Sequence, residues 1–125
     1  MATARGARRR LLGATAVTLT LALTPTAGAV DRPRYDVPPG FVRCPAAKAL
    51  GGFFKWASVQ HTTCRAGARF MRAYGAREAA AGRMPRALGG YRCAIRYWRN
   101  ADGDIYASRH VCRRSEVTIR FYGMV

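Results

Sequence analysis

Acidic side chains are scarce in this chain: six Asp+Glu stand against 22 Lys+Arg, a formal charge of +16 at pH 7. Lysine is nearly absent as well, with only Lys48 and Lys55, so arginine carries the charge. Histidine occurs twice, as His61 and His110, and no C-x-x-C pair exists, which leaves a zinc site little to build on. Serine is confined to Ser58, Ser108 and Ser115, and no G-x-S-x-G turn is present, so there is no hydrolase signature. The uncharged run Leu11–Leu23 is thirteen residues, short of the roughly 20 that a membrane span requires.

What the N-terminus does have is the layout of a cleavable secretion signal over residues 1–29. Arg5, Arg8, Arg9 and Arg10 form a basic start, the thirteen-residue run follows, Pro25 breaks it, and Ala27-Gly28-Ala29 offers small residues for a peptidase. An uncleaved short anchor is the alternative. No cysteine lies near the cleavage region, so no lipid anchor is expected. Arg8-Arg9-Arg10-Leu11-Leu12 resembles a loose twin-arginine signal without its usual flanks. A basic start alone explains it, and ordinary secretion is expected.

Removing 29 of the 125 residues leaves 96, one domain's worth. Four of the 22 basic residues go with the leader, leaving 18 against six acids, a charge of +12. A chain this small buries a modest share of its surface and gains from covalent staples. Cys44, Cys64, Cys93 and Cys112, an even number behind an export signal, predict two disulfides in an oxidising compartment. The arginine excess suits polyanions. Its alternative is a solubility device in a composition rich in Ala, Gly and Arg.

Residues 30–40 are Pro-rich and aperiodic and read as a mobile arm; residues 41–125 form the domain. Phe41–Cys44 and Phe53–Val59 are predicted strands separated by a Gly51-Gly52 turn. In the second, Phe54 and Trp56 share one face, and Phe53, Ala57 and Val59 the other. Thr62-Thr63 offers a helix N-cap, and from Cys64 the period becomes helical. Cys64, Gly67, Ala68, Phe70, Met71, Tyr74 and Gly75 fall on one arc, with Arg65, Arg69 and Arg72 opposite, to an end near Ala81-Gly82. Arg83–Gly90 is a connector.

Tyr91–Arg99 and Ile105–Cys112 flank Asn100-Ala101-Asp102-Gly103-Asp104, and Asp-Gly signals a hairpin. A turn centred on Asp102-Gly103 sets Cys93 opposite Cys112. A four-residue loop, Ala101–Asp104, would place them at a close, non-hydrogen-bonded pair suited to a bridge. Cys44 and Cys64 then pair by elimination. A second turn at Arg114-Ser115 leads into Glu116–Tyr122, with Val117 opposite Cys112, Ile119 opposite His110 and Phe121 opposite Ser108. One face of this meander carries Tyr91, Cys93, Ile95, Tyr97, Tyr106, Ser108, His110, Cys112, Val117, Ile119 and Phe121 and should pack on the helix. The fold class expected is α+β: short N-terminal strands, then one amphipathic helix packed on a three-stranded antiparallel meander.

The opposite face carries Arg92, Arg96, Trp98, Arg109, Arg113, Arg120 and Tyr122 and is expected to be wet. Of these, Arg92, Arg96, Trp98, Arg109, Arg120 and Tyr122 are the candidate site for an anionic ligand, with guanidinium groups on phosphates and rings stacking on bases or sugars. The alternative is a solvated face with arginine stems covering Trp98. His110, on the helix-facing side between Ile95 and Ile119, is either a general acid/base or a core histidine satisfied by a tyrosine or a carbonyl. Together with His61, and Glu78 or Glu116 as base, it would make a nuclease-like site; otherwise His61 is an exposed loop residue. Asn100-x-Asp102-x-Asp104 resembles the start of a calcium loop, but Ile105 and Val111 stand where Gly and Glu are needed, and a hairpin turn explains it.

Thr63-Cys64-Arg65-Ala66, Gly90-Tyr91-Arg92-Cys93, and Cys112-Arg113-Arg114 with Val117-Thr118-Ile119-Arg120-Phe121 are similar to a loose group of small exported four-cysteine proteins of high-GC Gram-positive bacteria. The likeness spans about residues 53–122 and implies the fold and the disulfides; it carries no functional residue across.

The expected function is a secreted, non-enzymatic binding domain for an anionic ligand at or beyond the cell envelope, without cofactor or metal. Its expected partner is a cell-wall polymer or nucleic acid, or else an extracellular protein. The alternatives are a small extracellular nuclease-like enzyme using His110 or His61, and a secreted inhibitor or effector presenting Arg83–Gly90.

Overall fold

The computed structural model describes residues 13–21 and 31–125. The arginine cluster and the cleavage motif of the expected leader lie outside the described residues. Residues 13–21 are exposed and carry no regular secondary structure. Among the described residues, no helix is long and apolar enough to cross a membrane.

Among the described residues, alternating patterns cut by turns give six strands and one α-helix: β1 (Val42–Cys44), β2 (Phe54–Gln60), α1 (Cys64–Ala81), β3 (Ala87–Leu88), β4 (Tyr91–Arg99), β5 (Ile105–Arg114) and β6 (Val117–Met124). The strands form one antiparallel sheet in the order β1-β2-β6-β5-β4-β3, with α1 on one face. The expected three-stranded meander is thus the middle of a wider sheet. β2 docks on the free edge of β6, so the N-terminal strands are part of the same sheet.

Helix α1 begins where the sequence indicates: Thr63 Oγ1 accepts from the Ala66 N–H, satisfying one orphan donor of the first turn. It ends at Gly82, whose left-handed φ of 67° suits a residue without Cβ. Gly67 is needed for close approach, since a Cβ there would lie 2.7 Å from Val59 Cγ1. Phe70, Met71 and Tyr74 fill the space between helix and sheet together with Phe54, Val59, Tyr91, Ile119 and Phe121.

Cys93 and Cys112 are paired in register and bridged, with Cα atoms 4.0 Å apart, the close spacing expected of a non-hydrogen-bonded pair. Cys44 bridges Cys64, tying β1 to the start of α1. The loop between β4 and β5 is Asn100–Asp104, one residue longer than expected, with a register shift after Trp98. That shift turns Tyr106 away from the helix-facing side and into the cluster of Trp98 and Tyr122.

Two further registers and the seat of the helix differ from expectation. The β5–β6 hairpin turns on Ser115-Glu116, with Ser115 at a left-handed φ of 51°, so Ile119 faces Cys112, Phe121 faces His110 and Gly123 faces Ser108. The slip is two residues, so every side chain keeps its face. In β2, Trp56 adopts φ 53° at a bulge, which resets the alternation. Phe54 therefore shares the core with Ala57 and Val59, while Trp56 points outward and is 42% exposed. Finally, α1 packs most closely on β1 and β2 and meets β4 at Tyr91, while Tyr97 is left 37% exposed.

Candidate anion-binding face

The sheet face away from α1 is an arginine lattice. Antiparallel pairing sets Arg92 directly opposite Arg113 and Arg96 directly opposite Arg109. Like charges across a strand pair are unfavourable by some tenths of a kcal/mol each, so the face carries a standing electrostatic cost. On β6, Arg120 lies opposite Val111, one step along from Arg109. No acidic residue of β4, β5 or β6 stands on this face.

The rings expected to be wet are buried instead: Trp98 is 4% exposed and Tyr122 1%. Trp98 lies beneath two guanidinium groups, Arg96 at 4.7 Å and Arg109 at 5.9 Å from the ring centroid. Tyr122 is covered by the Pro-rich segment 31–40, which runs over the sheet. The Tyr122 hydroxyl donates to the Arg34 carbonyl (2.6 Å) and accepts from Arg120 Nη2 (2.7 Å). Tyr35 wedges between Trp56 and Tyr122, with centroids 4.0 and 4.9 Å away. Asp31 forms an ion pair with Arg96, and Asp36 lies 3.6 Å from Arg120, which is only 9% exposed. Two buried donors on this face, Trp98 Nε1 and Arg120 Nε, have no partner among the described residues.

Of the six candidate residues, then, Arg92 and Arg96 are exposed and Arg109 half-buried on β4 and β5, whereas Trp98, Arg120 and Tyr122 are packed away. The Arg92 guanidinium is open to a ligand and that of Arg96 is held by Asp31, so a ligand there would displace the carboxylate; stacking surfaces are not offered. Sequence reasoning missed Tyr35, Asp31 and Asp36 as parts of this face. Their one signal was a lone aromatic and two acids in a stretch rich in Pro and Arg.

His110 is a core residue. It has no exposed surface and stacks on Phe121 at 4.8 Å with planes 4° apart. The Tyr74 hydroxyl donates to the Pro85 carbonyl (2.8 Å), so it accepts from His110 Nδ1–H (2.8 Å), and Ser108 Oγ–H donates to Nε2 (2.7 Å). That chain satisfies a neutral imidazole completely, and burial lowers its pKa from 6.5 to about 3. Burial likewise holds the Tyr74 hydroxyl protonated well above the ordinary phenol range. His61 is exposed at the end of β2 with φ 59°. One histidine is sealed and the other stands on the surface, so they form no joint solvent-facing site.

No known protein family, curated protein or solved structure matches the chain. The site has only its own side chains to speak for it. Asn100 Oδ1 accepts from the N–H groups of Asp102 and Asp104, both at 3.0 Å, which accounts for the Asn-x-Asp-x-Asp spacing as turn chemistry. Among the described residues, no cluster of three His, Cys, Asp or Glu side chains is placed to hold a metal.

Proposed function

We propose that this protein is a secreted binding domain for an anionic polymer, gripping it by charge through Arg92, Arg96, Arg109 and Arg113. The observation that carries the reading is the pair of arginine–arginine registers across β4 and β5. Such pairs cost the fold free energy, and an external anion would turn that cost into attraction. Burial of Trp98 and Tyr122 removes base stacking from the account and favours recognition of a phosphate backbone by guanidinium forks. Two disulfides fit an oxidising compartment, which supports the export reading. The nuclease alternative loses its best residue, because His110 is neutral and sealed.

The experiment is a titration of the oxidised domain (residues 30–125) with single-stranded RNA and with polyglycerol phosphate at low and high salt. Binding that weakens steeply with salt is expected, the logarithmic slope reporting about 0.7 to 0.9 per phosphate neutralised. Arg96→Glu with Arg109→Glu should abolish it while the far-ultraviolet spectrum is retained. Wild-type protein that binds neither polymer at low salt would end the reading.

A further inference from the structure

A second concentration of arginine lies at the far end of α1, away from the six residues discussed above. Arg77, Arg83 and Arg86 line a cleft of about 540 Å³ with Met84, Pro85 and Ala87. Its lining contains no acid, and none of the three guanidinium groups forms an ion pair among the described residues. The walls are fixed from beneath: Tyr74 donates to the Pro85 carbonyl at 2.8 Å, and the Cys93 N–H donates to the Arg86 carbonyl at 2.8 Å. The cleft is therefore shaped before any ligand arrives. The C-terminal end of α1 carries partial negative charge, roughly half an elementary charge, against three full positive ones.

Arg77 and Ala87 are shared with an adjoining cleft of about 470 Å³ that reaches Arg92. Its floor includes Gly89 and Gly90, both at positive φ; the space over Gly89 is open, while the Arg114 stem lies against Gly90. Arg114 is pinned beside this turn, donating to the Gly89 carbonyl at 3.0 Å and lying over the Tyr91 ring. Arg92 belongs to the lattice on the sheet. The two clefts thus extend that lattice around the β3 edge to the end of the helix.

We infer that these joined clefts are a second phosphate-binding site, and that the ligand is a flexible single-stranded phosphodiester chain that passes from the sheet face over β3 into it. A stiff duplex would not follow a path that turns around a sheet edge. This inference rests on the polymer-binding reading above and adds a place and a minimum length to it.

The test is a length series of glycerol phosphate oligomers and of RNA oligonucleotides, titrated against wild type and against Arg83→Gln with Arg86→Gln. Both substituted residues are exposed, so the fold should survive, as a thermal melt will show. Short oligomers should bind wild type and variant alike. Longer ones should bind wild type at least tenfold more tightly than the variant, with a salt slope larger by about 1.4 to 1.8, the value for two phosphates. Arg65→Gln with Arg69→Gln, on the exposed face of α1, removes the same charge elsewhere and should cost less than threefold. Equal loss in the two double variants, or no loss in the first, overturns the cleft while leaving polymer binding itself in place. A wild type that binds no length would instead overturn the parent reading. A length-dependent gain with either polymer supports the site, and the polymer with the larger gain names the source of the phosphates.

Discussion

The two faces of the sheet solve the same burial problem with different materials. Toward α1, the cover is a capped helix whose Phe70, Met71 and Tyr74 interlock with Phe54, Ile119 and Phe121. His110, buried in the sheet there, has both ring nitrogens satisfied. Away from α1, the cover is an irregular segment with one anchoring ring, Tyr35, over strands dense in arginine, and two N–H donors there have no partner among the described residues. The first face has the features of stability and the second those of a surface held ready for something else. An unmet buried donor costs about 1–3 kcal/mol, and facing arginines add to that.

The comparison breaks most sharply at the helix-facing core. Phe121→Ala removes a ring that touches Phe54, Tyr74 and His110, and should cost about 3–5 kcal/mol in denaturant unfolding of the oxidised domain. A loss below 1 kcal/mol would mean that this face is no better packed than the other.

The next effect is pH dependence. The unfolded chain protonates His110 near pH 6.5 whereas the folded chain does so only near 3, so the unfolded state binds more protons between those values. Stability should be level above about pH 7 and fall by up to about 1.4 kcal/mol per pH unit below 6.5. Unfolding curves from pH 4.5 to 8 check this, and His110→Gln should flatten that part of the slope. A slope unchanged by the substitution would assign it to the carboxylates.

Much of this helix-facing side was legible from the sequence. Thr63 and Gly82 mark the helix by capping chemistry, and Asp102-Gly103 centres a hairpin whose register brings Cys93 to Cys112. Side-chain parity survived the two-residue slip at β5–β6 because the strand period is two. The slip itself was hidden because Ser115 is an ordinary residue in a left-handed conformation, and no composition rule marks it. Trp56 is the same case: a bulky residue at positive φ resets β2 with no local signal. The outer face is the arginine array the sequence indicates, wet at Arg92, Arg96 and Arg113 but buried at Trp98, Arg120 and Tyr122. An aperiodic Pro-rich segment gives no pattern from which its docking on Tyr122 could be inferred.

A smaller effect tests the cover of that outer face. Tyr35→Ala removes the ring between Trp56 and Tyr122 and should cost about 1–2 kcal/mol, less than Phe121→Ala because Tyr35 is only half-buried. Tryptophan emission should shift to longer wavelength as Trp56 and Trp98 gain water. An unshifted spectrum would show that the segment does not shield this face.

The smallest expected change in stability is the most direct test of what the arginine lattice is for. Arg113 faces Arg92 on one side and Thr118 on the other, and is exposed. Arg113→Thr, measured at once for unfolding free energy and for polyglycerol phosphate affinity at low salt, should raise stability by about 0.2–1 kcal/mol while weakening binding several-fold. A variant that is less stable, or that binds as tightly as wild type, would contradict a face that trades folding free energy for attraction to an anionic polymer.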